Sequence, residues 1–134
     1  GGGSKLEELK GLTKDNKNVT YYGRVERDKL PELFGEMDVT VVPSLCYENS
    51  PTVIFESLYF GVPVLASRIE GIAELIEEGE NGFTFEAGDA SSLAQKLEWC
   101  IEHHSEIEKM AIKIPTMSRS EGEYIDRLIE LYDD

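Results

Sequence analysis

The sequence predicts an α/β fold with a doubly wound parallel sheet, in which helices cover both faces. Short and nearly continuous apolar runs alternate with segments of helical periodicity. This alternation is typical of buried parallel strands that are joined by helices. The length of 134 residues fits one such domain, and we expect a single domain over residues 1–134.

The first part of the chain is predicted to hold two helices and two strands. Ser4 followed by Glu7 is a capping-box pattern, which opens a helix. The β-branched and aromatic run Val19–Tyr22 predicts a strand, and Asp28 is expected to cap a second helix. The run Asp38–Pro43 predicts a strand that is covered on both faces.

The later elements follow the same alternation. Ser50 and Pro51 are predicted as the N-cap and the first position of a helix that stops at Gly61. The remaining elements are a strand, a helix, a strand and the C-terminal helices, in the order Val62–Ala66, Gly71–Glu78, Phe83–Glu86 and the helices after Asp89, including Glu121–Tyr132.

The charge is strongly acidic and uneven. The formal net charge is −14, and residues 45–134 contain nineteen acidic and six basic residues. This balance argues against binding to nucleic acid or to an anionic membrane surface, because both require a basic face. An anionic ligand would have to be bound mostly without Lys and Arg.

Cysteine content and hydropathy indicate a reduced, cytoplasmic protein. Cys46 and Cys100 form neither a disulfide framework nor a set of metal ligands. The longest apolar stretch, Pro51–Ala66, is interrupted by Glu56 and Ser57, so we expect no insertion into a membrane.

The segment from Pro43 to Glu56 is the candidate functional site. Ligands of doubly wound folds bind beyond the carboxyl ends of the strands, where a loop leads into a helix. The predicted helix is apolar all round, which indicates burial, except for a polar stripe of Thr52 and Glu56. A structural role for Glu56, paired with an arginine, is the alternative; the candidate partners are Arg24, Arg27 and Arg68.

Glu48 strengthens the functional interpretation. It precedes the helix by a few residues, and the first free amides of that helix lie between Glu48 and Glu56. Helix-end amides and the helix dipole bind anions without any basic side chain. A carboxylate, an anion site and a second carboxylate suit a nucleoside diphosphate sugar. Pro51 has no N–H, so the amide donors are those of Asn49, Ser50, Thr52 and Val53.

This pattern resembles the E-x7-E signature of retaining glycosyltransferases of the GT-B fold. Seven residues separate Glu48 from Glu56, and Ser-Leu-Tyr-Phe-Gly-Val-Pro-Val-Leu-Ala follows. The closest group is the family-4, group-1 class. Gly23–Val25, Asp38–Ser44 and Gly71–Gly82 resemble further elements of that family, in family order.

The resemblance implies the C-terminal, Rossmann-like half of a GT-B enzyme and a role for each motif residue. Glu48 would contact hydroxyls of the donor sugar, and Glu56 would contact the ribose of a UDP-, GDP- or ADP-linked donor. The segment from Asn49 to Val53, with Ser50, Pro51 and Thr52, would contact sugar and phosphate. Gly23, Arg24 and Val25 would lie near the base.

The resemblance also implies what the chain does not supply. The family's basic residues for the diphosphate lie upstream, and acceptors bind to an N-terminal domain. We therefore expect a donor-binding domain that is truncated at its N-terminus and lacks its first strand–helix unit. No metal or other cofactor is expected. By itself the chain should bind nucleotide sugars weakly and transfer nothing, and the full-length enzyme would act in the cytoplasm or at the cytoplasmic face of the membrane.

A second hypothesis is a non-catalytic module, either a degenerate nucleotide-binding domain or an interaction domain that uses an acidic face. A receiver domain similar to response regulators would need clustered Asp residues at the first strand end and a later Lys. The sequence offers neither.

Overall fold

The structure is a computed structural model that describes residues 2–47 and 51–118, with side chains as far as Ile114. It divides into one unit of Gly1–Leu33 and a second of Phe34–Asp134. A single domain over residues 1–134 stays a prediction. The predicted helix Glu121–Tyr132 lies outside the described residues.

The first unit contains helix α1 (Leu6–Thr13). The predicted capping box at Ser4 is wrong, because the N-cap is Lys5 and its side chain does not cap the helix. Glu7 instead accepts a hydrogen bond from Lys10 Nζ at 2.9 Å. This pair is available because residues three apart are neighbours on a helix surface.

Two other predictions for the first unit are also wrong. Val19–Tyr22 is not part of the described sheet, and a strand requires a hydrogen-bonded neighbour. Asp28 does not cap a helix, since it lies inside a 3-10 turn, Arg27–Lys29, that leads into helix α2 (Leu30–Gly35).

The second unit is built on a three-stranded parallel sheet with the order β1-β2-β3. The strands are β1 (Thr40–Val42), β2 (Val64–Ser67) and β3 (Gly82–Phe85). Val64 lies opposite Thr40 on one side and opposite Gly82 on the other. All three segments predicted as strands in this unit are therefore confirmed. β1 is shorter than predicted, β2 begins two residues later and ends one residue later, and β3 begins and ends one residue earlier.

Helices lie on both faces of this sheet, which confirms the doubly wound α/β class. Helix α3 (Thr52–Tyr59) packs on one face, and helices α4 (Ala90–Glu102) and α5 (His104–Ser118) pack on the other. The buried residues of the α3 face are Val42, Ile54, Val64, Ala66, Ile72 and Ile76. Those of the α4–α5 face are Leu65, Phe85, Cys100, Ile107, Met110 and Ile114.

The ends of α3 are close to those predicted. Gly61 stops the helix in a left-handed conformation with φ of +77°, and Val62 N donates to Ser57 O at 2.9 Å. At the other end Pro51 is the N-cap rather than the first helical residue.

The predicted helix Gly71–Glu78 is only a 3-10 turn, Ala73–Leu75. The side chain of Asn81 explains why this turn goes no further. Its Nδ2 donates to Leu75 O at 3.1 Å, and its Oδ1 accepts from Glu77 N at 2.8 Å. These side-chain bonds satisfy the backbone groups that a longer helix would have paired internally.

We predict that Gly82→Ala strongly destabilises the second unit. A Cβ atom at Gly82 would clash with the backbone carbonyl of Val64, which belongs to the central strand and has no flexible end to move aside. Overpacking of this kind costs about 1–3 kcal/mol or more. Gly35→Ala is the control, because a Cβ there meets nothing within 4 Å. Urea unfolding should show a lower free energy of unfolding for Gly82→Ala alone, and equal values for the two variants would contradict the close approach.

Candidate functional site

The carboxyl ends of the three strands meet at one edge of the sheet, which we call the carboxyl edge. The segment Pro43–Tyr47 follows β1, Arg68 follows β2 and Glu86 follows β3. Because the strands are parallel, the residues after them lie at the same edge. Helix α3 begins from this edge, as the sequence predicts for a ligand site.

Three of the predicted site residues, Glu48, Asn49 and Ser50, lie outside the described residues. Their contacts with a ligand stay predictions. The residues on either side are described: Tyr47 ends the segment that follows β1, and Pro51 is the N-cap of α3.

The first turn of α3 has amides without partners inside the helix. The N-cap Pro51 is buried and has no side-chain acceptor, and the turn contains no acidic residue. Ile54 N donates to Pro51 O at 3.0 Å. The N–H groups of Thr52 and Val53 precede Ile54, the first residue whose N–H is bonded to this end of the helix, so they are directed out of the helix end. This arrangement can bind an anion.

Thr52 and Glu56 share one side of α3, because they are four residues apart. Thr52 is exposed and Glu56 is half-buried, whereas Ile54 and Ser57 are buried. Thr52 and Glu56 thus form the predicted polar stripe, but the predicted all-round burial of the helix is wrong, because Tyr59 is 54% exposed. The Glu56 carboxylate is carried about one helical turn beyond the amides of Thr52 and Val53.

Arg68 is not the partner of Glu56. Its Nη1 donates to Glu86 Oε1 at 2.8 Å and its Nε donates to Thr84 Oγ1 at 3.2 Å. Thr84 in turn hydrogen-bonds Glu78 through both its backbone N–H and its hydroxyl. The guanidinium thus connects the ends of β2 and β3, and the structural alternative for Glu56 does not hold for Arg68.

The segment Pro43–Tyr47 crosses the carboxyl edge. A Cβ atom at Gly88 would lie 3.6 Å from Leu45 Cδ2, so the segment after β1 reaches the turn after β3. Leu45 is 75% exposed and Tyr47 is 62% exposed. Apolar side chains therefore face solvent beside the predicted position of Glu48.

Gly23, Arg24 and Val25 lie in the first unit. Gly23 adopts φ of +66°, which supports the predicted turn. Arg24 is exposed and Val25 is half-buried. The expected contact of these residues with a nucleobase stays a prediction.

One residue of the carboxyl edge was missed by the sequence analysis. Ser67, the last residue of β2, is fully buried, and its hydroxyl has no hydrogen-bond partner within the described part of the chain. The sequence gives no signal for it, because the local sequence does not show whether a buried serine hydroxyl has a hydrogen-bond partner.

Two negative observations apply to residues 2–47 and 51–118. No group of three or more His, Cys, Asp or Glu side chains there is placed to hold a metal ion. No helix in that part combines the length and the hydropathy needed to cross a membrane.

The chain is similar to a family and to individual proteins that are named as glycosyltransferases. Residues 1–103 match the family described as "Glycosyl transferases group 1". The sulfoquinovosyl transferase SQD2 of Arabidopsis thaliana is 34% identical over 100 residues, which cover 72% of this chain and 19% of SQD2. The lipopolysaccharide core biosynthesis glycosyltransferase LpsE of Rhizobium meliloti is 32% identical over 103 residues, which cover 74% of this chain and 30% of LpsE.

A solved structure shares both fold and sequence. Anabaena HepE in complex with UDP-glucose matches with a TM-score of 0.75 and 27% identity, over 85% of this chain and 32% of HepE. The chain thus spans a third or less of the length of these relatives.

We predict that the two cysteines differ sharply in reactivity. Cys46 is exposed in the segment before Glu48, and Cys100 is buried against the sheet. Burial raises the pKa of the Cys100 thiol, an effect that the charge of Lys96 partly offsets. Because the thiolate is the reactive form, a disulfide reagent at pH 8 should modify one thiol per native chain. Cys46→Ser should leave no reactive thiol until the chain is unfolded; a native Cys46→Ser chain that still reacts would contradict the burial of Cys100.

Proposed function

Because the chain belongs to the group 1 glycosyltransferases, we propose that it is the donor-binding part of a retaining enzyme of the family-4 class. In this proposal it binds a nucleoside diphosphate sugar, and the sugar is transferred to an acceptor hydroxyl. Residues 1–134 would form one donor-binding domain, to which an N-terminal domain of the full-length enzyme adds the acceptor site.

The first turn of α3 carries the proposal. It begins at the carboxyl edge after Pro51, it contains no acidic side chain, and its first amides are without intrahelical partners. A diphosphate bound there would be stabilised by the amides and by the positive end of the helix dipole. Such a site is compatible with the acidic composition of the chain, because it needs no basic side chain.

The neighbouring side chains fit the two ends of a nucleotide sugar. Glu56 lies on the side of α3 that also carries Thr52, and it would accept hydrogen bonds from the ribose hydroxyls. Glu48 would orient the donor sugar and act as the catalytic residue. Asn49, Ser50 and Val53 would complete the contacts to sugar and phosphate.

Relatives support this choice of ligand. HepE, which shares the fold, was solved in complex with UDP-glucose. We extend a donor of that chemical class to this chain, and leave the base open between uracil, guanine and adenine. Gly23, Arg24 and Val25 would lie near the base through their backbone groups.

The mechanism that follows requires neither a metal nor a further cofactor. Preorganised amides can stabilise the negative charge that develops on the leaving diphosphate. We expect the enzyme to act in the cytoplasm, and the basic residues that assist the leaving group to come from outside this chain.

We predict weak binding of a nucleotide sugar that depends on Glu56. Titration of the ¹⁵N-labelled chain with UDP-glucose, GDP-mannose and ADP-glucose should shift the amide signals of Thr52 and Val53 for at least one donor. Glu56→Ala should weaken the binding of that donor about tenfold or more, because hydrogen bonds to a charged group contribute about 1.5–3 kcal/mol.

The matched control is Glu102→Ala, which removes an exposed carboxylate at the far end of α4. It should leave the dissociation constant unchanged. Binding that is insensitive to Glu56→Ala would refute the site assignment, and the absence of any shift with all three donors would refute donor binding by this chain.

A further inference from the structure

Two serines are fully buried in the second unit, and they differ in their hydrogen bonding. The Ser57 hydroxyl lies 2.8 Å from Thr40 Oγ1 and 2.8 Å from Val62 O, to which it donates. The Ser67 hydroxyl has no partner in the described part of the chain. The two serines are therefore equally buried, and Ser67 differs in that its hydroxyl lacks a hydrogen bond.

A buried hydroxyl without a partner destabilises the state in which it occurs. It has lost its hydrogen bonds to water and gained none from the protein, which is why nearly all buried polar groups are paired. Alanine would fit the same position without that penalty. A serine at this position is explained if its hydroxyl has a partner in another state of the protein.

Ser67 lies at the carboxyl edge, which the Pro43–Tyr47 segment crosses on its way to the donor site. Side chains alternate along a strand, so Ser67 is on the same face as Leu65, which α4 and α5 cover. The closeness of Leu45 to Gly88 brings the Pro43–Tyr47 segment near the start of α4, one of the two helices on that face. Because β2 lies between β1 and β3, a segment that leads from the end of β1 towards Gly88 passes the end of β2, and Ser67 is the last residue of β2.

We propose that Ser67 is a positioning residue for donor binding. When a nucleoside diphosphate binds to the first turn of α3, the Pro43–Tyr47 segment shifts and one of its backbone groups hydrogen-bonds the Ser67 hydroxyl. The hydroxyl is sealed from solvent, so it acts through the segment rather than on the nucleotide. This inference rests on the proposed function. It adds a residue that strengthens donor binding through a hydrogen bond formed only in the bound state.

The test compares Ser67→Ala with Ser57→Ala, using UDP as the probe. For Ser67→Ala, we expect a melting temperature equal to or above that of the parent chain and a dissociation constant for UDP that is about five- to tenfold higher. That range is the effect of one hydrogen bond gained on binding. For Ser57→Ala, we expect a lower melting temperature and an unchanged dissociation constant.

A second readout follows the segment itself. In the parent chain and in Ser57→Ala, UDP should shift the amide signals of Ser44 through Tyr47 and slow their hydrogen exchange. In Ser67→Ala these amides should exchange at the same rate with and without UDP. A hydroxyl that only supports the fold would not produce this difference.

The outcomes separate this inference from the proposed function. If Ser67→Ala is destabilised as much as Ser57→Ala, the hydroxyl is already bonded in the free chain and the inference is wrong. It is equally wrong if Ser67→Ala binds UDP like the parent chain while Glu56→Ala does not. If UDP fails to bind the parent chain, or Glu56→Ala has no effect on UDP binding, the proposed function fails and the inference fails with it.

Discussion

The pairing of β2 with both of its neighbours determines the rest of the second unit. Val64, Leu65 and Ala66 are buried to at least 99%, and they point alternately into the two apolar clusters. The strand therefore supplies hydrogen bonds to β1 and β3 and apolar contacts to both helical layers. The parallel direction of the strands then brings their carboxyl ends to one edge. The candidate site exists at that edge because of this single strand.

Electrostatics at the carboxyl edge depends on backbone groups more than on side chains. Arg68 follows the central strand, but Glu86 at 2.8 Å neutralises much of its charge. The first turn of α3, in contrast, presents amides without intrahelical partners and contains no acidic side chain, since Glu56 lies one turn further along the helix. A chain with a net charge of −14 can thus offer a local site for an anion. The net charge argues against binding to nucleic acid or to an anionic membrane surface, but it does not argue against a small anionic ligand at this local site.

Elements buried on both faces were the ones that the sequence could predict. The runs around Val42 and Leu65 are apolar on both faces, so short windows of sequence are enough to identify them. The run around Phe85 alternates with Thr84, which is buried with its hydrogen bonds to Glu78. The strand at Val19–Tyr22 was predicted from composition alone, but a strand also needs a neighbour, which a local pattern does not report. The helix predicted at Gly71–Glu78 was wrong because the side chain of Asn81, just beyond its predicted end, hydrogen-bonds two of its backbone groups.

The same distinction applies to the site. The position of the site in the chain follows from local signals, namely a buried strand, a polar loop and an apolar helix with one carboxylate. Which side chains have partners depends on contacts between residues far apart in the sequence. Arg68 was an open candidate to pair with Glu56 until its contacts with Thr84 and Glu86 were seen. Ser67 carried no signal at all.

Helix α3 is fixed to the sheet by hydrogen bonds near its C-terminal end. Ser57 connects the helix to Thr40 at the start of β1 and to the carbonyl of Val62 just before β2. The turn at Gly61 adds a backbone bond from Val62 to Ser57. In contrast, Leu45 and Tyr47 are largely exposed. Under the proposed function, the diphosphate would bind at the opposite, N-terminal end of α3, and any adjustment to the donor would occur in the Pro43–Tyr47 segment.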